Sequence, residues 1–198
     1  MVRMRFSEGF SAPRPSKSAV TAIFIGPLGH GVGLAADILA HVAESARHSV
    51  VRDRRITTGP AKSEAPRDGF LHVVRMEDGA SRPGIVDVVE PADLVVAWNV
   101  EAALAFAHLL KSPDDLYILA ADRVPGWRRD LALDSHFGPT SEPRPDRHAA
   151  GAFSAVRALG MISRRLPFQD SLWRHIVPQH VPQQISQAAV DHFFAVAW

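Results

Sequence analysis

Residues 19–40 read AVTAIFIGPLGHGVGLAADILA, and this stretch decides the fold class. Ala19 to Ile25 is a nearly continuous apolar run with β-branched members, the pattern of a strand covered on both faces. It stops at Gly26-Pro27-Leu28-Gly29-His30-Gly31, a turn. From Val32 to Glu44 the residues Val32, Ala35, Ala36, Leu39, Val42 and Ala43 recur at helical spacing. Strand, glycine turn and helix in that order open an α/β unit.

Working outward, a second strand is predicted at Ser49–Asp53. Residues 54–67, with their basic residues and Gly59, Pro60 and Pro66, read as a loop. Phe70, Leu71, Val73 and Val74 make a third strand, Glu77–Pro83 a turn, and Val86–Val89 a brief fourth strand. A second clear unit begins at Asp93–Trp98, DLVVAW. Asn99 follows as a good N-cap, and VEAALAFAHLLK reads as a helix with Glu101 in its first turn, where negative charge is favourable. Ser112–Asp115 closes that helix, and Leu116–Ala120 is another buried strand. Residues 126–147 are irregular and proline-rich, and the remainder reads as helices over 149–165, 168–176 and 182–197. The pattern predicts a three-layer α/β/α fold with a mainly parallel sheet, a Rossmann-like start and a helical C-terminal portion. Residues 1–18 read as a flexible lead-in, and 19–198 as one domain.

The formal net charge is +1, with both signs spread along the chain, so no sequence-wide field favours nucleic acid or a membrane surface. Cysteine is absent, which excludes disulfides, thiolate metal sites and any iron–sulfur cluster ligated by this chain. The N-terminus lacks the apolar stretch of a signal peptide, and no apolar run is long enough to span a bilayer. A soluble, cytoplasmic protein is expected.

The turn Gly26–Gly31 is the leading candidate site. A glycine turn feeding a helix presents backbone N–H groups and the positive end of the helix dipole, which suits an anion. The spacing is not the dinucleotide fingerprint, since Leu28 stands where its second glycine would be, and no phosphate-loop Lys-Ser or Lys-Thr follows. The glycines equally suit a turn that only permits close packing. His30 lies inside the turn, but the ten histidines show no metal-ligand spacing, and no metal site is expected. No G-x-S-x-G elbow is present, and no catalytic residue is assigned. Asn99 lies at the end of a predicted strand, where α/β sheets place ligand-binding groups, although a plain helix cap explains it too. Arg67-Asp68-Gly69 and the basic loop before it are further anion-binding candidates, although most such clusters are simply solvated.

Several segments in order resemble the gamma subunit or domain of 2-oxoacid:acceptor (ferredoxin) oxidoreductases, with the beta subunit of indolepyruvate oxidoreductase as the nearest branch. In that family a strand is followed by G-x-G-G-Q-G and a helix rich in small residues; here residues 26–40 read GPLGHGVGLAADILA. The family's R-G-G element before a strand ending in V-R is matched by RDGFLHVVR, residues 67–75. Its serine–proline segment, A-D-L-L strand and E-A-L helix are matched by SRPGIVDVVEPADLVVAWNVEAAL, residues 81–104. A late A-L-G and L-P-F stand at Ala158–Gly160 and Leu166–Phe168. Departures are Leu28 and Asp68 in place of glycines, His30 in place of glutamine, and Ala155 near a usual asparagine.

The resemblance implies an accessory subunit, inactive alone, in a complex that oxidatively decarboxylates a 2-oxoacid of the indolepyruvate or arylpyruvate type to an acyl-CoA. A large partner subunit would carry thiamine diphosphate and iron–sulfur clusters, with coenzyme A as acyl acceptor and ferredoxin served through the complex. This chain alone would hold none of these cofactors. Gly26, Gly29, His30 and Gly31 would form an anion- or cofactor-facing turn, with Arg67 a charged neighbour and Asn99 and Glu101 at the next strand-to-helix junction. The alternatives are a stand-alone nucleotide- or cofactor-binding α/β module and a diverged structural paralogue that keeps the interface without the ligand. A homo-oligomer is compatible with each.

Overall fold

The computed structural model describes residues 19–27, 29–58, 68–78, 91–119 and 147–197. The expected N-terminal lead-in, the fourth strand at 86–89 and most of the irregular 126–147 segment lie outside the described residues. Strand β1 (Ala19–Pro27) leads into helix α1 (Val32–Ser45), followed by β2 (His48–Thr58), β3 (Asp68–Asp78), β4 (Leu94–Ala97), α2 (Val100–Phe106) and β5 (Leu116–Ile118). Three helices follow: α3 (Arg147–Ser163), α4 (Asp170–His180) and α5 (Ser186–Ala197).

The five strands form one sheet in the order β2-β3-β1-β4-β5. β1, β4 and β5 run parallel. β3 is antiparallel to both β1 and β2, so the sheet is mixed, with β2 and β3 as a hairpin inserted beside the parallel part. The nine residues between β2 and β3 are too few for a parallel crossover, which takes a dozen or more, but enough for a hairpin. β1 and β2 therefore point the same way, with β3 threaded between them.

Both faces of β1 are covered, as its apolar run predicts. Ala22 and Phe24 face α1, α3, α4 and α5 together with Val74, Met76, Leu94 and Val96. Ile23 and Ile25 face the other way with Leu71, Val73, Val95 and Ile118, where α2 packs through Ala103. Period-two alternation thus feeds one large core and one small one.

Several boundaries differ from the sequence expectation by a few residues, among them the end of α4, which runs to His180, and the start of α5 at Ser186; two of the differences have a clear physical reason. Residues 54–58, expected in a loop, continue β2. Among the described residues β2 is the outermost strand, and its Arg52, Arg54 and Arg55 are exposed; such charges suit an edge strand although they obscure its sequence pattern. The helix after Asn99 ends at Phe106 and tightens into a 3₁₀ turn over Ala107–Leu109. Ala92 N–H donates to the Leu109 carbonyl, and Lys111 N–H to that of Ala92, so the chain leaves the helix to bridge the start of β4. The buried Asp93 completes this knot, its carboxylate accepting from Thr21 N–H and Lys111 Nζ, each at 3.0 Å.

In the helical layer α3 crosses α5 at Gly160. A Cβ there would lie 2.8 Å from the Phe193 carbonyl oxygen. Gly160→Ala gains about 1 kcal/mol of helix propensity, but pushing two backbones apart costs about 2 kcal/mol. A net loss of about 1 kcal/mol is expected in denaturant unfolding; a more stable variant would show that the helices separate freely here.

Candidate functional site

The C-terminal ends of β1 and β4 lie side by side, and the glycine turn leaves the sheet there. Trp98 follows β4 directly. Its backbone N–H donates to the Ile25 carbonyl, and its indole Nε1–H to the His30 carbonyl at 2.6 Å. The turn is therefore tied to the neighbouring strand through its own backbone.

Each glycine of the turn has a distinct reason. A Cβ on Gly26 would meet Trp98 Cβ at 2.5 Å, so Gly26 makes room for the tryptophan. Gly31 has φ +86° and caps α1, and a Cβ there would lie 2.0 Å from the Gly151 carbonyl oxygen of α3. Gly29 also has positive φ (+81°) but faces open space. Two of the three glycines are thus explained by the protein's own packing, and only Gly29 opens outward.

Beside the turn is a cleft of ≈ 380 Å³. The turn and the first residues of α1 form one wall, α3 contributes Gly151 and Ala152, and the far wall is Arg54, Phe70 and His72 from the hairpin. α1 has no side-chain N-cap hydrogen bond, and its first residues Val32, Gly33 and Leu34 line the cleft, so the positive end of the helix dipole lies beside this space. The Arg54 guanidinium lies over the Phe70 ring at 4.1 Å. Gly33 lets the His72 imidazole pack beneath α1, since a Cβ there would reach the ring at 3.3 Å. Burial, and then the positive charge of Arg54, lower the His72 pKa from 6.5, with Asp37 partly opposing. His72 is accordingly neutral at pH 7. Asp37 is engaged by Arg52 at 2.7 Å.

The expected site residues divide. Gly29 and Gly31 line the cleft, whereas Gly26 is occupied with Trp98. His30 is exposed in the turn, its carbonyl holding the indole. Asn99 caps α2, its Oδ1 accepting from Ala102 N–H at 2.8 Å, and Glu101 is exposed in that helix's first turn. Neither lines the cleft, because α2 packs on the opposite face of the sheet. Arg67 lies outside the described residues. Arg54 belongs to the basic segment read as an anion-binding candidate, but it reaches the cleft from strand β2 and not from a loop. Phe70 and His72 escape the motif-based reading, and the signal available is alternation, since Phe70, His72, Val74 and Met76 share one face of β3. Among the described residues no group of three or more His, Asp or Glu side chains could hold a metal ion, and no helix is long and apolar enough to cross a membrane.

The arrangement offers backbone donors, one guanidinium, one neutral imidazole and an aromatic face, with the Asp37 carboxylate in the lining offset by its ion pair to Arg52. That chemistry suits a small anionic group carried on an apolar or planar body.

No family model matches the chain, and no curated protein matches it by sequence. Solved structures do match. The gamma subunit of a keto/oxoacid ferredoxin oxidoreductase from Geobacter sulfurreducens is similar at a TM-score of 0.58 and 17% identity, over 91% of this chain and 97% of that one. A pyruvate oxidoreductase subunit from Thermotoga maritima matches at 0.55 and 15% identity, over 91% and 96%. A 2-oxoglutarate:ferredoxin oxidoreductase from Magnetococcus marinus, described with 2-oxoglutarate, coenzyme A and succinyl-CoA bound, matches at 0.55 and 17% identity. That alignment covers 91% of this chain and 31% of the longer one. The chain therefore shares the fold of these structures over 91% of its length.

Proposed function

We propose that this chain is a gamma-type accessory subunit of a cytoplasmic 2-oxoacid:ferredoxin oxidoreductase of the indolepyruvate or arylpyruvate type. The observation that carries the proposal is the likeness to the Geobacter gamma subunit over nearly the full length of both chains. The ordered motifs from the glycine turn to the E-A-L helix support it. The sequence has no cysteine, so iron–sulfur clusters would be held by a large partner, and the cleft has no carboxylate free of an ion pair to hold the magnesium of thiamine diphosphate. The cleft does fit an anionic portion of coenzyme A, through the α1 N–H groups and Arg54.

The test is purification of the tagged chain from its native cell, followed by assay of what accompanies it. A stoichiometric partner with thiamine diphosphate and iron, oxidising indolepyruvate in preference to pyruvate and 2-oxoglutarate, is expected. In that complex Arg54→Gln is expected to raise KM for coenzyme A roughly tenfold with kcat nearly unchanged. A chain that arrives alone and binds a nucleotide would replace this reading with the stand-alone module.

The packing of Gly26 and Gly31 against Trp98 and Gly151 favours a second reading, a structural paralogue without ligand. It predicts that Arg54→Gln leaves every kinetic constant of the complex unchanged.

A further inference from the structure

Helix α1 carries Asp37 and His41 one turn apart, and α4 ends on His180. His41 Nδ1 and His180 Nε2 are 2.7 Å apart, with the rings edge-to-face at 5.0 Å between centroids. Both residues are half-buried, at the rim of the α1–α4 packing that buries Trp173, Ile176 and Val177 of α4 with Ile38 and Val42 of α1. A hydrogen bond between two imidazoles needs a proton on one nitrogen and a lone pair on the other. Neutral–neutral and singly charged pairs meet that condition. Two imidazoliums have no acceptor and repel.

We propose that His41 and His180 form an acid-opened clasp that holds α4 against α1 and releases it when both rings are protonated. This inference is independent of the subunit reading.

The surrounding charges leave the clasp to titrate. On α1, Asp37 is engaged by Arg52 of β2, and Glu44 is exposed. On β2, His48 is paired with Asp78 at 2.9 Å. On α4, Arg174 lies over Phe194 of α5, while Asp170 and His175 are exposed. On α5, Asp191 accepts from Gln187 at 2.9 Å, and His192 meets Phe153 edge-to-face. Burial first, then the charge of His41, lowers the His180 pKa from 6.5, and Asp37 only partly restores it. Because the folded value is below the unfolded one, the stabilisation is complete above pH 6.5 and declines as pH falls through the folded value. His72 and His192 are lowered too, chiefly by burial, and decline in the same window, so the test must separate them.

Backbone hydrogen exchange of the full chain, corrected for the intrinsic pH effect, does so. Between about pH 7.5 and about pH 5.5 the protection of α4 is expected to fall about tenfold more than that of β1 and β3. In the His41→Phe/His180→Phe double variant, which keeps the ring contact without the protons, this extra loss should vanish. An equal acid response of α4 in both proteins would overturn the clasp. Ring-nitrogen NMR of the unaltered chain provides a second measure: the His180 ring should take up its proton below pH 6.5, coupled to the state of its neighbour. Two independent, ordinary titrations would overturn the proposal. So would a zinc-dependent rise in Tm that requires both histidines, which would make the pair a metal clip instead.

Discussion

Gly31→Ala is expected to lower stability by about 3 kcal/mol, the sum of about 1 kcal/mol for a left-handed alanine and about 2 kcal/mol for the collision with α3. The collision involves a backbone carbonyl, Gly151 O, at 2.0 Å from the new Cβ, so no rotamer change relieves it. α3 must move away from the start of α1, opening the wall of the cleft. Gly29→Ala supplies the control. It has the same sign of φ but no neighbour within 4 Å, so only the conformational part, about 1 kcal/mol, should be lost. Urea unfolding of the two variants decides the matter. Equal losses would mean that the Gly31–Gly151 contact contributes nothing beyond backbone conformation.

Trp98→Ala should be costlier still, about 4 kcal/mol, because it empties a buried site between Gly26 and Phe24. Trp98→Phe separates packing from hydrogen bonding. It retains most of the ring contact but leaves the His30 carbonyl without the indole N–H, a loss of about 1 kcal/mol. The decisive readout is local. Hydrogen exchange at Gly29–Gly31 should rise in Trp98→Phe while α5 stays protected. Unchanged exchange in the turn would show that the indole does not restrain it.

The parts of this molecule that were legible in sequence are those whose local pattern and tertiary role agree. Ala19–Ile25 reads as a doubly covered strand, and both of its faces are buried. The Val32–Glu44 periodicity corresponds to a helix over Val32–Ser45. Asn99 has the chemistry of a cap and performs that role. β2 was less legible because an edge strand is free to carry Arg52, Arg54 and Arg55, which remove its alternation. The cleft was legible on one wall only. Glycines in a turn are conspicuous, but Arg54, Phe70 and His72 reach the cleft through the register of a hairpin that no local motif encodes. The turn itself was legible in kind but not in purpose: what lies beyond each missing Cβ depends on Trp98 and Gly151, residues far along the chain.

The charged character of β2 also bears on how copies of this protein coexist at high concentration. An outer strand with unpaired amides is a template for strand addition. If two copies paired antiparallel about Asp53, that carboxylate would face its own counterpart and Arg52 would face Arg54, like charges directly opposite one another. At the other end of the sheet β5 offers only three residues, following directly on the Pro113–Asp115 turn. Among the described residues neither rim offers a ready template for a continuous intermolecular sheet, and one of the arginines responsible, Arg54, also furnishes part of the cleft wall. Arg54 thus bears both on the proposed anion recognition and on the charge of an outer strand.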